Sequence, residues 1–202
     1  MPNEKVKKGE TTRLAIEDAA FGLFMQYGFH GTSMRQIAEE TGLALGGIYN
    51  HFSSKEEIFE GLILDKSPYK QIVPRILAAE GGTAEELFHS AAEAIVSELG
   101  KRPDFVKLMF IEVVEFNGRH VNLLVSEVAP QILPVIERVV KVRKNLRHTN
   151  PVIIVRSFLG LFFSYYITDM LLRATILEKM MPKDSFEQFV DIYLHGIIKE
   201  PK

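Results

Sequence analysis

Gly46-Gly47-Ile48-Tyr49-Asn50-His51, with Lys55 just beyond, gathers groups whose shared chemistry is binding to phosphate oxygens and to the polar edges of bases. A glycine inside a helix costs roughly 1 kcal/mol relative to alanine, so the pair at 46 and 47 is a poor choice for stability. The pair is suited to a helix N-terminus that lies tight against a sugar-phosphate backbone and offers its free amides to phosphate. A loop that needs glycine flexibility is the competing reading. Tyr49 and His51 lie off the apolar positions and supply outward hydrogen-bond donors. Lys55 adds a cation to the N-terminal dipole of the following helix, the combination of a phosphate clamp. Singly, each of these residues reads as an ordinary surface side chain; their conjunction carries the argument.

Such groups need a rigid support, and the surrounding residues provide one. A short helix starts after Thr32 or Ser33 and ends near Thr41, with Gly42 placed for the left-handed turn between helices. A second covers about Leu45 to Phe52, and Ile37, Ala38, Leu43, Ile48 and Phe52 form the buried side of the pair. Upstream, Ile16, Ala19, Ala20, Leu23, Phe24 and Tyr27 fall on one stripe of a helix from about Thr11 to Tyr27, stopped by Gly28. Downstream, Ser53 and Ser54 offer an N-cap for a helix carrying Glu56 and Glu57 in its first turn. This is a helix-turn-helix, whose second helix enters the DNA major groove while the first packs behind it.

The pattern T-S-x-x-x-I-A-x-x-T-G-L-x-x-G-x-I-Y-x-H-F-x-S-K-E-E-I from Thr32 to Ile58, with A-A-x-x-L-F-x-x-Y-G-F at Ala19 to Phe29, resembles the DNA-binding domain of the tetracycline-repressor (TetR) family of bacterial regulators. The resemblance runs from about Leu14 to Phe59 and is absent as sequence beyond Leu62. It implies that Thr32, Arg35, Gly46, Tyr49, His51 and Lys55 sit on the DNA face, mostly on phosphates, and Ser33, Leu45 and Gly47 are counted with them. Ala44, Leu45 and Gly47 depart from the polar residues usual at those places, so base reading is expected to fall on Arg35, suited to guanine, and Asn50, suited to adenine. Metal and cofactor are not expected.

The whole chain reads as helical, with turn signals dividing it into about nine helices. Thr83 and Glu86 form a capping box opening a helix to about Gly100. Pro103 to Asn117 and His120 to Arg147 follow, the latter expected to kink or split at Pro130 and Pro134. Asn150-Pro151 opens the most apolar helix, to about Ala174, and Asp184 or Ser185 caps a last one to about Ile198. The expected architecture is all-α: an N-terminal arm and three-helix DNA-binding domain (1–53), joined to a larger helical domain for effector binding and dimerisation (54–202).

In that larger domain Phe105, Met109, Phe110, Val113 and Phe116 make one helical stripe, and Phe162, Tyr166 and Met170 another. Both read as core; the resemblance adds that such helices line an effector pocket and that the last two helices form a dimer interface. No catalytic arrangement is present. The single Glu86-x-x-His89 falls short of the two such motifs a di-iron bundle needs. The expected partners are therefore a double-stranded operator, a small-molecule effector and a second copy of the chain. A ligand-independent DNA-binding adaptor and a helical-bundle enzyme are the rival readings.

Bulk properties bound these readings. Net charge is −2, so DNA binding must come from the placement of charge. Cysteine is absent, which removes disulfides and thiolate chemistry and makes the cytoplasm the default compartment. The basic arm Met1 to Arg13 is expected to be flexible, with Lys5, Lys7, Lys8 and Arg13 following flanking phosphates, reaching a minor groove or serving only solubility. The apolar run near Val152 to Leu172 is interrupted by Arg156 and Asp169 and reads as a buried helix rather than a membrane span.

Overall fold

The computed structural model describes residues 2–78, 82–142, 146–147, 150–173, 175–182 and 184–197, with side chains from Gly9 to Gly196. The described elements are helices: α1 (Pro2–Tyr27), α2 (Met34–Thr41), α3 (Leu45–Tyr49), α4 (Lys55–Lys66), α5 (Tyr69–Ala78), α6 (Ala84–Gly100), α7 (Pro103–Phe116), α8 (Val121–Val142), α9 (Pro151–Arg173) and α10 (Ser185–Ile197). A 3₁₀ turn at Ile176–Met180, capped by Thr175, lies between the last two and has no counterpart in the sequence reading.

Local chemistry sets most boundaries. Gly28, Gly42 and Gly118 have φ of 75°, 67° and 78°, the left-handed conformation that ends α1, α2 and the α7 turn. Ser54 accepts the Glu57 amide at the start of α4, and Thr83 and Glu86 exchange hydrogen bonds at the start of α6 as the capping box requires.

Several expectations change. The arm expected to be flexible continues α1 back to Pro2, since glutamate and lysine favour helix and Gly9 is the one glycine between Pro2 and Arg13. The side chains of Lys5, Lys7 and Lys8 lie outside the described residues. Tyr27 is half exposed instead of completing the apolar stripe. α3 stops at Tyr49, short of Phe52. α8 runs unbroken to Val142, because Pro130 and Pro134 lie four apart on one exposed side, where the unbonded carbonyls meet water.

The chain forms two compact units, one of Met1–Lys70 with Glu98–Pro130, the other of Gln71–Ser97 with Gln131–Lys202. The core of the first is built from Ile16, Ala20 and Phe24 of α1, Phe29 of the turn after it, Ile37 and Ala38 of α2, Ile48 and Phe52, Ile58, Phe59, Leu62 and Ile63 of α4, and Leu108 and Phe116 of α7. The rings of Phe24, Phe29, Phe59 and Phe116 meet at tilted or edge-on angles, with Phe59 4.8 Å from Phe116 and 5.4 Å from Phe29. In this unit α7 therefore packs on the helix-turn-helix, a partition different from the division by role at Ser53/Ser54. The second unit packs Phe88 of α6 against Phe158 of α9 (5.1 Å) and Tyr193 of α10 (6.0 Å).

α9 is apolar all round, and as a single chain it is less buried than the sequence suggests. Ile154, Phe158 and Phe162 are covered, while Val152, Ile153, Leu159, Phe163, Met170 and Leu171 are exposed. By length and composition it alone among the described helices is long and apolar enough to cross a membrane.

At the α6–α7 corner, Glu98 is held 2.8 Å from both Lys101 Nζ and Arg102 Nη1, and these hydrogen bonds bring its pKa down to about 2. A carboxyl depressed from 4.5 on folding contributes stability that is present above the unfolded value and lost as pH falls towards the folded one. Glu98→Gln is therefore expected to melt below the wild type at pH 7. The gap should narrow from about pH 4.5 downward when melts are followed by circular dichroism; a constant gap would remove the ion pairs as its cause.

Candidate nucleic-acid interface

The site is built on two short helices held over a buried floor. Ser33 is the N-cap of α2, its Oγ accepting the Gln36 amide (3.2 Å) while Gln36 Oε1 accepts the Ser33 amide (2.8 Å), a reciprocal capping box. Gly42 then turns the chain, and its amide closes onto the last carbonyls of α2. Ile48 and Phe52 are buried beneath α3, which leaves Leu45, Gly46, Tyr49 and Asn50 on the exposed side and Gly47 and His51 half-buried. Arg35, 81% exposed, stands on α2 with its Nε 3.1 Å from Glu39. Ser33, Arg35, Leu45, Gly46, Tyr49 and Asn50 thus all meet solvent on these two helices.

A Cβ built on Gly46 meets nothing within 4 Å, and one on Gly47 makes only an ordinary contact with Leu43 at 3.8 Å. The fold of the free chain therefore has room for alanine at either place, so packing does not explain the pair.

Two of the expected site residues are committed to the fold. Thr32 is buried, and its hydroxyl donates to the Gly28 carbonyl at 2.9 Å. Lys55 turns inward: its ammonium donates to the carbonyls of Phe29 and Thr32 and lies 4.0 Å from the Phe29 ring centre. Burial lowers the Lys55 pKa, and the Glu115 carboxylate nearby offsets part of that effect. His51 contributes its carbonyl to Arg13, whose guanidinium also stacks 4.1 Å over Phe52.

Glu115 of α7 was not legible in the sequence. Its carboxylate accepts the amides of Phe29 (3.0 Å) and His30 (2.7 Å), so α7 holds the turn from which α2 departs. A Cβ on Gly28 would come within 2.7 Å of Glu115 Oε1, which gives that glycine a second reason beyond its positive φ. Gly28 could be found as a helix stop, but nothing near it in sequence points to a carboxylate 86 residues away.

An ammonium has three N–H donors, and two of those on Lys55 serve carbonyls, which leaves one for a phosphate. Lys55→Met is therefore expected to do two things. It should lower stability by about 1 to 3 kcal/mol through the carbonyls left without a charged donor. It should also reduce the slope of log affinity against log salt for DNA by about one unit. Arg35→Ala, removing a solvent-facing side chain, should change DNA affinity with a melting temperature within about 1 °C of wild type. Equal behaviour of the two variants in thermal melts would contradict the dual role of Lys55.

The residues expected to line an effector pocket are distributed over both units. Phe116 belongs to the core of the first, 4.5 Å from Phe29. Phe105, Met109 and Phe110 are half-buried and Val113 is exposed. In the second unit Phe162 is buried, Met170 is exposed, and the Tyr166 hydroxyl donates to the Val96 carbonyl at 3.4 Å, its pKa pushed up to about 12 mainly by burial. The described groove in this unit, about 460 Å³, lies instead between α9 and α10 and is lined by Ser157, Gly160, Leu161, Ser164, Phe189, Ile192 and Tyr193.

Residues 16–62 match the family model of the bacterial regulatory proteins, tetR family. The chain is 37% identical over 94 residues to the HTH-type transcriptional repressor KstR2 of Rhodococcus jostii, a span covering 44% of this chain and 45% of that protein. It spans about half or less of the length of the curated relatives it matches. Among solved structures it is similar to NalD, the secondary repressor of the MexAB-OprM multidrug efflux pump in Pseudomonas aeruginosa (TM-score 0.66, 22% identity, 96% of this chain and 100% of that one). It is similar also to SmeT in complex with triclosan (TM-score 0.61, 21% identity, 94% and 93%). At these identities the structures establish the shared fold, a helix-turn-helix followed by a helical C-terminal part. The capped α2, the left-handed Gly42 and the exposed face of α3 all lie within residues 16–62, the stretch that matches the model of the bacterial regulatory proteins, tetR family.

Proposed function

We propose that the chain is a cytoplasmic, DNA-binding repressor of transcription that acts as a homodimer on a palindromic operator and is released by a small apolar or aromatic effector. The observation that carries the DNA reading is the exposed row Leu45, Gly46, Tyr49 and Asn50 over the buried Ile48 and Phe52. Arg35 and Asn50 read bases, and Ser33, Gly46, Gly47, Tyr49, His51 and Lys55 hold phosphates. Thr32 acts by fixing the turn. The DNA-binding part is residues 1–53, and 54–202 serve the effector and the dimer.

Repression is supported by KstR2 and NalD, both named as repressors, and an aromatic effector by the triclosan complex of SmeT. The named relatives are regulators, which speaks against the enzyme reading. Dimerisation through α9 and α10 is supported by the exposed Val152, Ile153, Leu159, Phe163 and Ile192, apolar area that a second copy would cover. Pairing also raises affinity, because linked recognition helices gain effective concentration. A ligand-independent regulator is a second reading, favoured by the packing of Phe116 and Phe162 in cores rather than along a cavity.

Selection of bound fragments from a random DNA pool at fixed salt tests the central claim. Enrichment of a palindrome with half-sites about 34 to 36 Å apart, or slightly more, is expected. Failure to enrich any palindrome overturns it. Titration of the selected complex with triclosan-like aromatics then separates an effector-released repressor from a ligand-independent one.

A further inference from the structure

We propose that Glu56, Glu60 and His120 form a binding site for a divalent first-row transition ion of the zinc class, tying α4 to the corner between α7 and α8. Glu56 and Glu60 stand one helical turn apart on α4, so their carboxylates share a face. His120 enters from the loop before α8. Its Nε2 lies 3.0 Å from Glu56 Oε1 and 3.7 Å from Glu60 Oε1, and one donor atom from each of the three residues lies within 4.8 Å of the others. Bonds of about 2.1 Å at tetrahedral angles place neighbouring ligand atoms about 3.4 Å apart, a value that the two observed separations bracket.

The histidine is oriented as a ligand before any ion arrives. Its Nδ1 is 2.8 Å from Glu112 Oε2, and its own backbone amide donates to the other Glu112 oxygen at 2.6 Å. Glu112 is fully buried and the His120 side chain is 3% exposed, with the Phe116 ring 4.5 Å away edge-on. A carboxylate on one ring nitrogen fixes the tautomer, aims the other nitrogen and raises its basicity, the arrangement that supports metal-bound imidazoles.

A proton explains only part of this geometry. Nε2 carries one hydrogen and Glu56 takes it, so Glu60 is held at 3.7 Å, too far for a hydrogen bond, with no cation nearer among the described contacts. The Arg119 guanidinium, 67% exposed, covers Glu56 Oε1 from outside at 3.1 Å and is free to swing to solvent. A mixed imidazole and carboxylate donor set suits zinc, cobalt or manganese ions, whereas magnesium and calcium prefer oxygen alone. The three side chains leave room for water as a further ligand.

The test uses the full chain, untagged and stripped with a chelator, titrated with Zn²⁺, with Co²⁺ as a visible-absorbing probe, and with Mg²⁺. Expected are one equivalent of Zn²⁺ bound, a higher melting temperature, visible Co²⁺ bands, and no response to Mg²⁺. His120→Gln leaves Glu112 without its partner and can fail to fold, so the deciding variant is Glu60→Gln, which loses no hydrogen bond. It should weaken Zn²⁺ binding at least tenfold with an unchanged apo melting temperature. Absence of Zn²⁺ binding by the wild type, or equal affinity in Glu60→Gln, overturns the proposal. No DNA is needed, so the result stands apart from the operator reading.

Discussion

Cutting Phe59 back to alanine is expected to remove about 3 to 5 kcal/mol of stability, the usual cost of emptying a large buried aromatic site. Phe59 is fully buried at the place where α1, α4 and α7 converge. Its ring lies 5.7 Å from Phe24, 5.4 Å from Phe29, 4.8 Å from Phe116 and 5.7 Å from His120. Those neighbours come from two separate stretches of chain, 24–29 and 116–120, each held by its own contacts, so they cannot all collapse into the void. A domain is commonly stable by only about 5 to 15 kcal/mol, so this one truncation should consume much of the margin. Urea unfolding followed by circular dichroism checks it, with Val114→Ala, 74% exposed, as the comparison expected to stay within about 0.5 kcal/mol. A loss below about 1 kcal/mol for Phe59→Ala would mean that this core is not packed as described.

Gly46→Ala is expected to separate stability from DNA binding. Its added methyl meets nothing within 4 Å in the free protein, and Gly46 is not among the glycines with positive φ. Alanine favours helix over glycine by up to about 1 kcal/mol, so the melting temperature should hold or rise. On DNA the same methyl would stand between the start of α3 and the sugar-phosphate backbone. Affinity should then fall at least about tenfold, by a similar factor on every sequence, because backbone contacts position the protein without reading bases. Asn50→Ala offers the contrast, an altered preference at one base position. Retained affinity in Gly46→Ala would end the close-approach account of the glycine pair. A lowered melting temperature would instead assign Gly46 to the fold.

The helix-turn-helix was legible because its determinants are local. The helix start at Ser33, the Ser54 cap, the turn at Gly42 and the alternation of buried Ile48 with exposed Tyr49 all act over four residues or fewer. Backbone hydrogen bonding and side-chain periodicity are decided at that range. The resemblance of Thr32 to Lys55 to the tetR family rests on the same short spacings, and residues 16–62 carry the family match. The conjunction with its neighbours marked Lys55, and the family resemblance marked Thr32, but not how they act.

Tertiary structure decided what those residues touch. Lys55 reads as a free cation beside a helix N-terminus, yet its ammonium is turned onto carbonyls 23 and 26 residues back, where burial in the turn outweighs solvation. The Glu115 carboxylate grips the turn at Phe29 and His30, and Phe116, read from the sequence as the end of the Phe105 stripe, closes the core under the head. A metal-ligand search by spacing sees only Glu86-x-x-His89, while the three donors that converge come from α4 and from a loop some sixty residues later. Such contacts depend on the path of the whole chain, which spacing along the sequence does not encode. The sequence by itself determined most of the helices, their caps and the exposed face of the helix-turn-helix. The fold alone determined which carboxylates hold that face in place.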